Sequence, residues 1–118
     1  MSIGDSRKYE PVEQRTREQV EAMLLSTDAK RIAKALWSAT YYDPDWRWVQ
    51  TKCLYFLTDA DVWVRRNAAT CLGLLATFHN KLDTAVVVPA LEKAAEDPQV
   101  KTWAEDSLAD IRHSLKLA

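Results

Sequence analysis

Two acidic pairs, Asp43-x-Asp45 and Asp59-x-Asp61, are the residues whose spacing first suggests chemistry. Paired carboxylates hold a divalent cation when further oxygens or imidazoles converge on them. No histidine stands beside either pair. The chain has only His79 and His113, and neither belongs to an H-x-x-x-H or His-Glu pattern. Each pair instead precedes an apolar-periodic run, where an aspartate satisfies the free N–H groups of a helix start. Helix capping is the favoured reading, and no metal is expected. Glycine occurs only at Gly4 and Gly73, so no phosphate-cradling loop is present. No hydroxyl residue has a recognisable base and oxyanion partner. Cys53 and Cys71 both fall on apolar helical stripes and read as buried small hydrophobes in a reducing compartment. With no catalytic constellation, the sequence points to a binding module rather than an enzyme, and to no cofactor.

The chain has 118 residues, 47% of them hydrophobic, enough for one domain with a modest core. Lys plus Arg is 16 and Asp plus Glu is 17, giving a net charge of −1. A nucleic-acid binder would usually show a basic excess, so nucleic acid is not an expected partner. Two Gly and four Pro suit helices with short connections, while five Trp is high for this length. The N-terminus lacks the apolar run of a secretory signal, and the longest apolar run, residues 85–91, is too short to span a bilayer. A cytoplasmic protein without membrane contact, monomeric when free, is expected.

Six helices must carry whatever the chain presents. Residues 1–15 are polar and aperiodic and are expected to be flexible, leaving residues 16–118 as the domain. Thr16 and Gln19 match a capping box, so the first helix is expected over 17–25, with Val20, Met23 and Leu24 inward. The second, 28–41, buries Ile32, Ala35, Leu36 and Ala39. Asp43-Pro44 reads as a cap followed by proline at the first helical position, starting a third helix over 44–57. A fourth begins at the Asp61 cap and carries Val64, Ala68, Cys71, Leu72 and Leu75 at i, i+4, i+7, i+8 and i+11. Asn80 suits its left-handed end. Asp83 or Thr84 caps the fifth, which either kinks at Pro89 or starts properly there. The sixth is expected over 98–115, burying Val100, Ala104, Leu108, Ile111 and Leu115.

The fourth and sixth helices align without gaps at an offset of 36, Val64 on Val100, Ala68 on Ala104, Leu72 on Leu108 and Leu75 on Ile111. The third and fifth align at an offset of 38, Val49 on Val87 and Cys53 on Leu91. A helix pair repeated in this way cannot close its own apolar face and stacks on its neighbours. The expected fold is all-α, a short solenoid of about three antiparallel helix pairs. The run from Asp61 to Ala69, with Val64-Arg65 and the later Leu72, resembles the second helix of a HEAT repeat; Asp97-Pro98-Gln99-Val100-Lys101 resembles the same motif. In that pattern Arg65 is expected to bond an inter-helix aspartate or a helix-end carbonyl.

Beside the buried stripe, Trp63, Asn67, Thr70 and Leu74 form a second one, whose equivalents on the sixth helix are Gln99, Trp103, Asp106 and Asp110. The HEAT resemblance implies that these helices line a concave surface. Of these, Trp63, Asn67, Thr70, Gln99, Trp103, Asp106 and Asp110, together with Arg66, are the candidate protein-binding residues, since Trp supplies large, rigid contact area. Trp63 and Trp103 could equally fill grooves between neighbouring helices. Small HEAT-like proteins are similar to bacterial immunity proteins that bind and neutralise a cognate toxin domain, often a nuclease. The segment Tyr42-Asp43-Pro44-Asp45-Trp46-Arg47-Trp48-Val49-Gln50 adds to that resemblance. Two alternatives stay open: a HEAT-type scaffold for an endogenous enzyme, and a nucleic-acid-binding HEAT-like protein of the DNA-repair kind.

Overall fold

The computed structural model describes residues 11–117. Among these it is all helical, with α1 (Arg17–Leu24), α2 (Ala29–Tyr42), α3 (Trp46–Phe56), α4 (Val62–His79), α5 (Thr84–Ala94) and α6 (Lys101–Ser114). Of the N-terminal stretch expected to be flexible, residues 1–10 lie outside the described part. Residues 11–16 run without helix beside α2: the Val12 carbonyl accepts from Tyr42 Oη at 3.0 Å, and the Arg15 N–H donates to Ser38 Oγ at 3.1 Å.

Short polar side chains start the helices. Thr16 and Gln19 form the reciprocal capping box on α1. Asp28 accepts from the Lys30 N–H, and Asp61 from the N–H groups of Trp63 and Val64. Asn80 ends α4 at φ 52°, the left-handed conformation that asparagine tolerates. The start of α3 differs from expectation. Asp45, not Asp43, is its cap, accepting from the Trp48 N–H, and the helix begins two residues after Pro44. The cause lies on both sides of the proline. The residue before proline is held extended, so Asp43 ends α2 at ψ 122°. Its carboxylate is then taken by Arg17, at 2.9 and 3.1 Å, and by the Asp45 N–H. Similarly, Pro98 sits in a turn and regular helix starts only at Lys101. Asp83 caps α5 by position but accepts no side-chain bond; its N–H donates instead to Gln50 Oε1 at 2.8 Å. The fifth helix runs through Pro89 rather than starting there.

The Asp43–Arg17 pair makes stability acid-sensitive. Burial raises the Asp43 pKa, but the Arg17 guanidinium and the Asp45 N–H outweigh it and hold the carboxyl below its ordinary value of 3.8. A depressed carboxylate stabilises the fold above its unfolded pKa and loses that contribution as pH falls through the folded one. The melting-temperature gap between the native chain and Asp43→Asn should therefore be full above about pH 4 and close below it. A gap independent of pH would show that the ion pair contributes nothing.

Each odd-numbered helix packs against its successor, α1 on α2, α3 on α4 and α5 on α6. The even-numbered helices pack on one another, with α4 between α2 and α6. Helix α4 can be central because of its small residues. Val64, Ala68, Cys71, Leu72 and Leu75 are all fully buried, and Ala69 and Ala76 are too. Helices α4 and α6 cross closely at Gly73. A Cβ added at Gly73 would stand 2.6 Å from Ser107 Oγ and 2.9 Å from Ser107 Cα. Ser107 satisfies its buried hydroxyl by donating to the Ala69 carbonyl at 2.6 Å. Cys53 and Cys71 are free and buried. Hydrogen bonding with Cys71 and burial together raise the Cys53 thiol pKa well above its ordinary range. On α6, Val100, Ala104, Leu108 and Ile111 are buried as expected, while Leu115 is only half-buried. The whole measures 38 × 33 × 30 Å, a compact globule rather than an elongated array.

Arg65 fastens the pairs together. One guanidinium nitrogen donates to the Asp59 and Ala60 carbonyls at 2.8 and 2.9 Å, and the other to Asp97 Oδ2 at 3.2 Å. It thus ties the α3–α4 turn to the α5–α6 turn. The side chain is 20% exposed, so solvent screening discounts the pair. Arg65→Ala should lower stability by about 1.5 kcal/mol in urea denaturation. It should leave partner affinity per folded molecule unchanged, because the residue faces the turns.

Candidate protein-binding groove

A groove of about 400 Å³ opens where α2, α4 and α6 meet. Helix α4 supplies one wall through Trp63, Arg66, Asn67, Thr70 and Leu74, spaced so that they share a stripe. Helix α6 supplies the other through Trp103, Asp106, Ser107 and Asp110. Trp37 of α2 closes one side. Seven of the eight residues singled out from the sequence thus line one concavity. The eighth, Gln99, lies outside the lining with its side chain exposed; its backbone carbonyl accepts from Arg66 Nε at 2.7 Å.

The polar side chains of α4 are already engaged. Asn67 accepts from Trp37 Nε1 at 2.6 Å and donates to the Trp63 carbonyl at 2.7 Å, holding α2 against α4 at the groove edge. Thr70 Oγ1 donates back to the Arg66 carbonyl. The Arg66 guanidinium lies 4.1 Å over the Trp103 ring, a cation–π contact. Trp63 and Trp103 are 53% and 37% exposed, so these rings stand at the groove's lips and are not core residues. Asp106 and Asp110 are exposed and make no ion pair or hydrogen bond among the described residues. The aromatic surface continues past the groove. Trp37 stands 6.0 Å from Tyr41, whose ring meets Phe78 edge-on at 5.0 Å. Tyr41 and Phe78 are nearly half exposed.

The two remaining tryptophans lie elsewhere. Trp48 is covered by Arg17 at 4.3 Å and approached by Lys52 at 5.6 Å, and Trp46 is covered by Arg47 at 4.5 Å. Both rings are half-buried under cations. Of the acidic pairs, Asp45 and Asp61 are caps, while Asp43 and Asp59 accept the N–H groups of Asp45 and Asp61. Among the described residues no group of three or more His, Cys, Asp or Glu is placed to hold a metal ion. Within the same residues no helix is long and apolar enough to cross a membrane.

With this geometry in place, the chain can be compared with known proteins. It is similar to one chain of a CDI complex. That crystal structure is of the CDI complex from Cupriavidus taiwanensis LMG 19424. The two chains are 29% identical and superpose with a TM-score of 0.81, covering 88% of this chain and 94% of that one. No family model and no curated protein matches the chain. The resemblance to HEAT repeats therefore rests on the sequence motifs at Asp61–Ala69 and Asp97–Lys101.

Sequence reasoning missed Trp37 and Ser107 as groove residues. Trp37 sits on the second helix, which takes no part in the repeat alignment. Its signal was the i, i+4 spacing of Trp37 and Tyr41, which places two aromatics on one helix face. Ser107 aligns with the buried Cys71 in the repeat, and it is four residues from Trp103, at the groove floor.

Proposed function

We infer that this chain is a non-catalytic, protein-binding immunity protein of a contact-dependent inhibition system. It binds a cognate toxin domain through the groove between α2, α4 and α6 and blocks that domain's action. The observation that carries this is the likeness, across 88% of its length, to a chain of a CDI complex. The groove supports it. Its exposed indoles are the residue type that dominates binding hot spots, and Arg66 holds the Trp103 ring in place before any toxin arrives. We read the three stacked helix pairs as a short solenoid of HEAT type, cytoplasmic and monomeric when free. The toxin's catalytic class, nuclease or other, is left to its own sequence.

Calorimetry with the toxin domain encoded beside this gene tests the reading. Tight one-to-one binding is expected, together with loss of toxicity when the two are co-expressed. A toxin domain that neither binds nor is neutralised would overturn it.

A further inference from the structure

The groove has a chemical polarity that its own residues leave unanswered. On α6, Asp106 and Asp110 are one turn apart on the same face, so their charges repel. Other carboxylates of this chain have work within the fold. Asp28, Asp45 and Asp61 cap helices, and Asp43 and Asp97 pair with arginines. Asp106 and Asp110 have neither role, yet both face the groove beside two exposed indoles.

We propose that the groove is a docking surface for a partner segment that inserts an arginine side chain. The proposal rests on the protein-binding reading and specifies what the partner must present. Charge complementarity selects a cation, because among the described residues the lining holds two carboxylates without an ion pair and one guanidinium, Arg66, which is already tied to Trp103 and Gln99. The aromatic lips select arginine over lysine. A planar guanidinium stacks on an indole and still donates in a fork to a carboxylate, whereas an ammonium is a compact, strongly hydrated charge. Arg66 over Trp103 shows the first half of that arrangement within the chain itself. Asp106 and Asp110, one and two turns along from Trp103, supply the second half. Leu74 leaves an apolar patch for the arginine's methylenes.

Two experiments separate this proposal from the function it rests on. In the first, the indole N–H resonances of the native chain are followed while N-acetyl-arginine amide is added to tens of millimolar, with the uncharged isostere N-acetyl-citrulline amide as the comparison. Shifts of Trp63 and Trp103 with the arginine compound alone are expected, and they should vanish in Asp106→Asn/Asp110→Asn. Equal shifts with both compounds, shifts confined to Trp46 and Trp48, or no shifts would overturn the arginine assignment. In the second, the same double variant is titrated with the adjacent-gene toxin domain. Affinity at least about tenfold weaker is expected, with a shallower salt dependence. Binding within twofold of native would overturn the proposal while leaving the immunity function standing. A toxin that fails to bind the native chain would remove the function, and the arginine titration would still decide the groove's chemistry.

Discussion

Gly73→Ala should destabilise the protein by about 2 kcal/mol, against the direction of helix propensity. In the interior of an exposed helix the same change would stabilise by about 1 kcal/mol, because alanine loses less backbone entropy than glycine. Gly73 is buried mid-helix on α4, and its new Cβ would lie 2.9 Å from the Cα of Ser107. A flexible side-chain tip could swing away from such a contact, but a backbone carbon can retreat only if α6 moves. That movement would also stretch the buried bond from Ser107 to the Ala69 carbonyl. Overpacking of this kind typically costs about 1–3 kcal/mol. A melting temperature lower by roughly 8 °C is expected. Because Trp103, Asp106 and Asp110 ride on α6, toxin affinity should fall as well. Ala109→Gly, at an exposed site on the same helix, provides the control: it should cost about 1 kcal/mol through propensity alone. If Gly73→Ala proved as stable as the native chain, the close crossing would not be what sets the distance between α4 and α6.

Gly73 also marks a boundary of what the sequence makes legible. Period and capping residues placed all six helices, because each is a local property of a few neighbouring side chains. The α4 stripe of Val64, Ala68, Cys71, Leu72 and Leu75 is buried as its spacing requires. Arg65 bonds both kinds of partner expected of it, turn carbonyls and an inter-helix aspartate. The start of α3 was misplaced because it is decided at a distance. Asp43 and Asp45 are equivalent as caps until Arg17, from another helix, claims the first of them. The groove was legible as two stripes once the repeat aligned α4 with α6. Its third side was not, because Trp37 enters through a bond to Asn67 that spans 30 positions and has no periodic signature. The direction of Ser107, which donates across to Ala69 instead of lining a stripe of its own, belongs to the same class.

Trp63→Ala should separate what holds the stack from what the stack presents. The residue is 53% exposed, so truncating its side chain opens a notch at the surface rather than a cavity in the core. The bond that fixes this turn runs from Asn67 to the Trp63 backbone carbonyl and survives the substitution. Loss of stability should therefore stay below about 1 kcal/mol, as for exposed sites in general. Toxin affinity should fall far more, by roughly thirty- to a thousandfold, since a tryptophan that acts as a binding hot spot commonly contributes about 2–4 kcal/mol. Leu72→Ala supplies the opposite pattern. Leu72 is fully buried, and truncating it should cost about 2–5 kcal/mol of folding free energy. The fraction that remains folded should bind as the native chain does, because Leu72 does not line the groove. Urea denaturation and calorimetry on the two variants give four numbers, and the argument requires that they cross. If Trp63→Ala unfolded as readily as Leu72→Ala and its folded fraction bound normally, the indole would be packing and the docking face would have to lie elsewhere. The next place to look would then be the Trp46–Trp48 surface on α3, whose rings lie under Arg17, Arg47 and Lys52 and would favour an acidic partner. The charge of the toxin's own interface would discriminate between the two faces, since an arginine-bearing segment fits the α4–α6 groove and an acidic one does not.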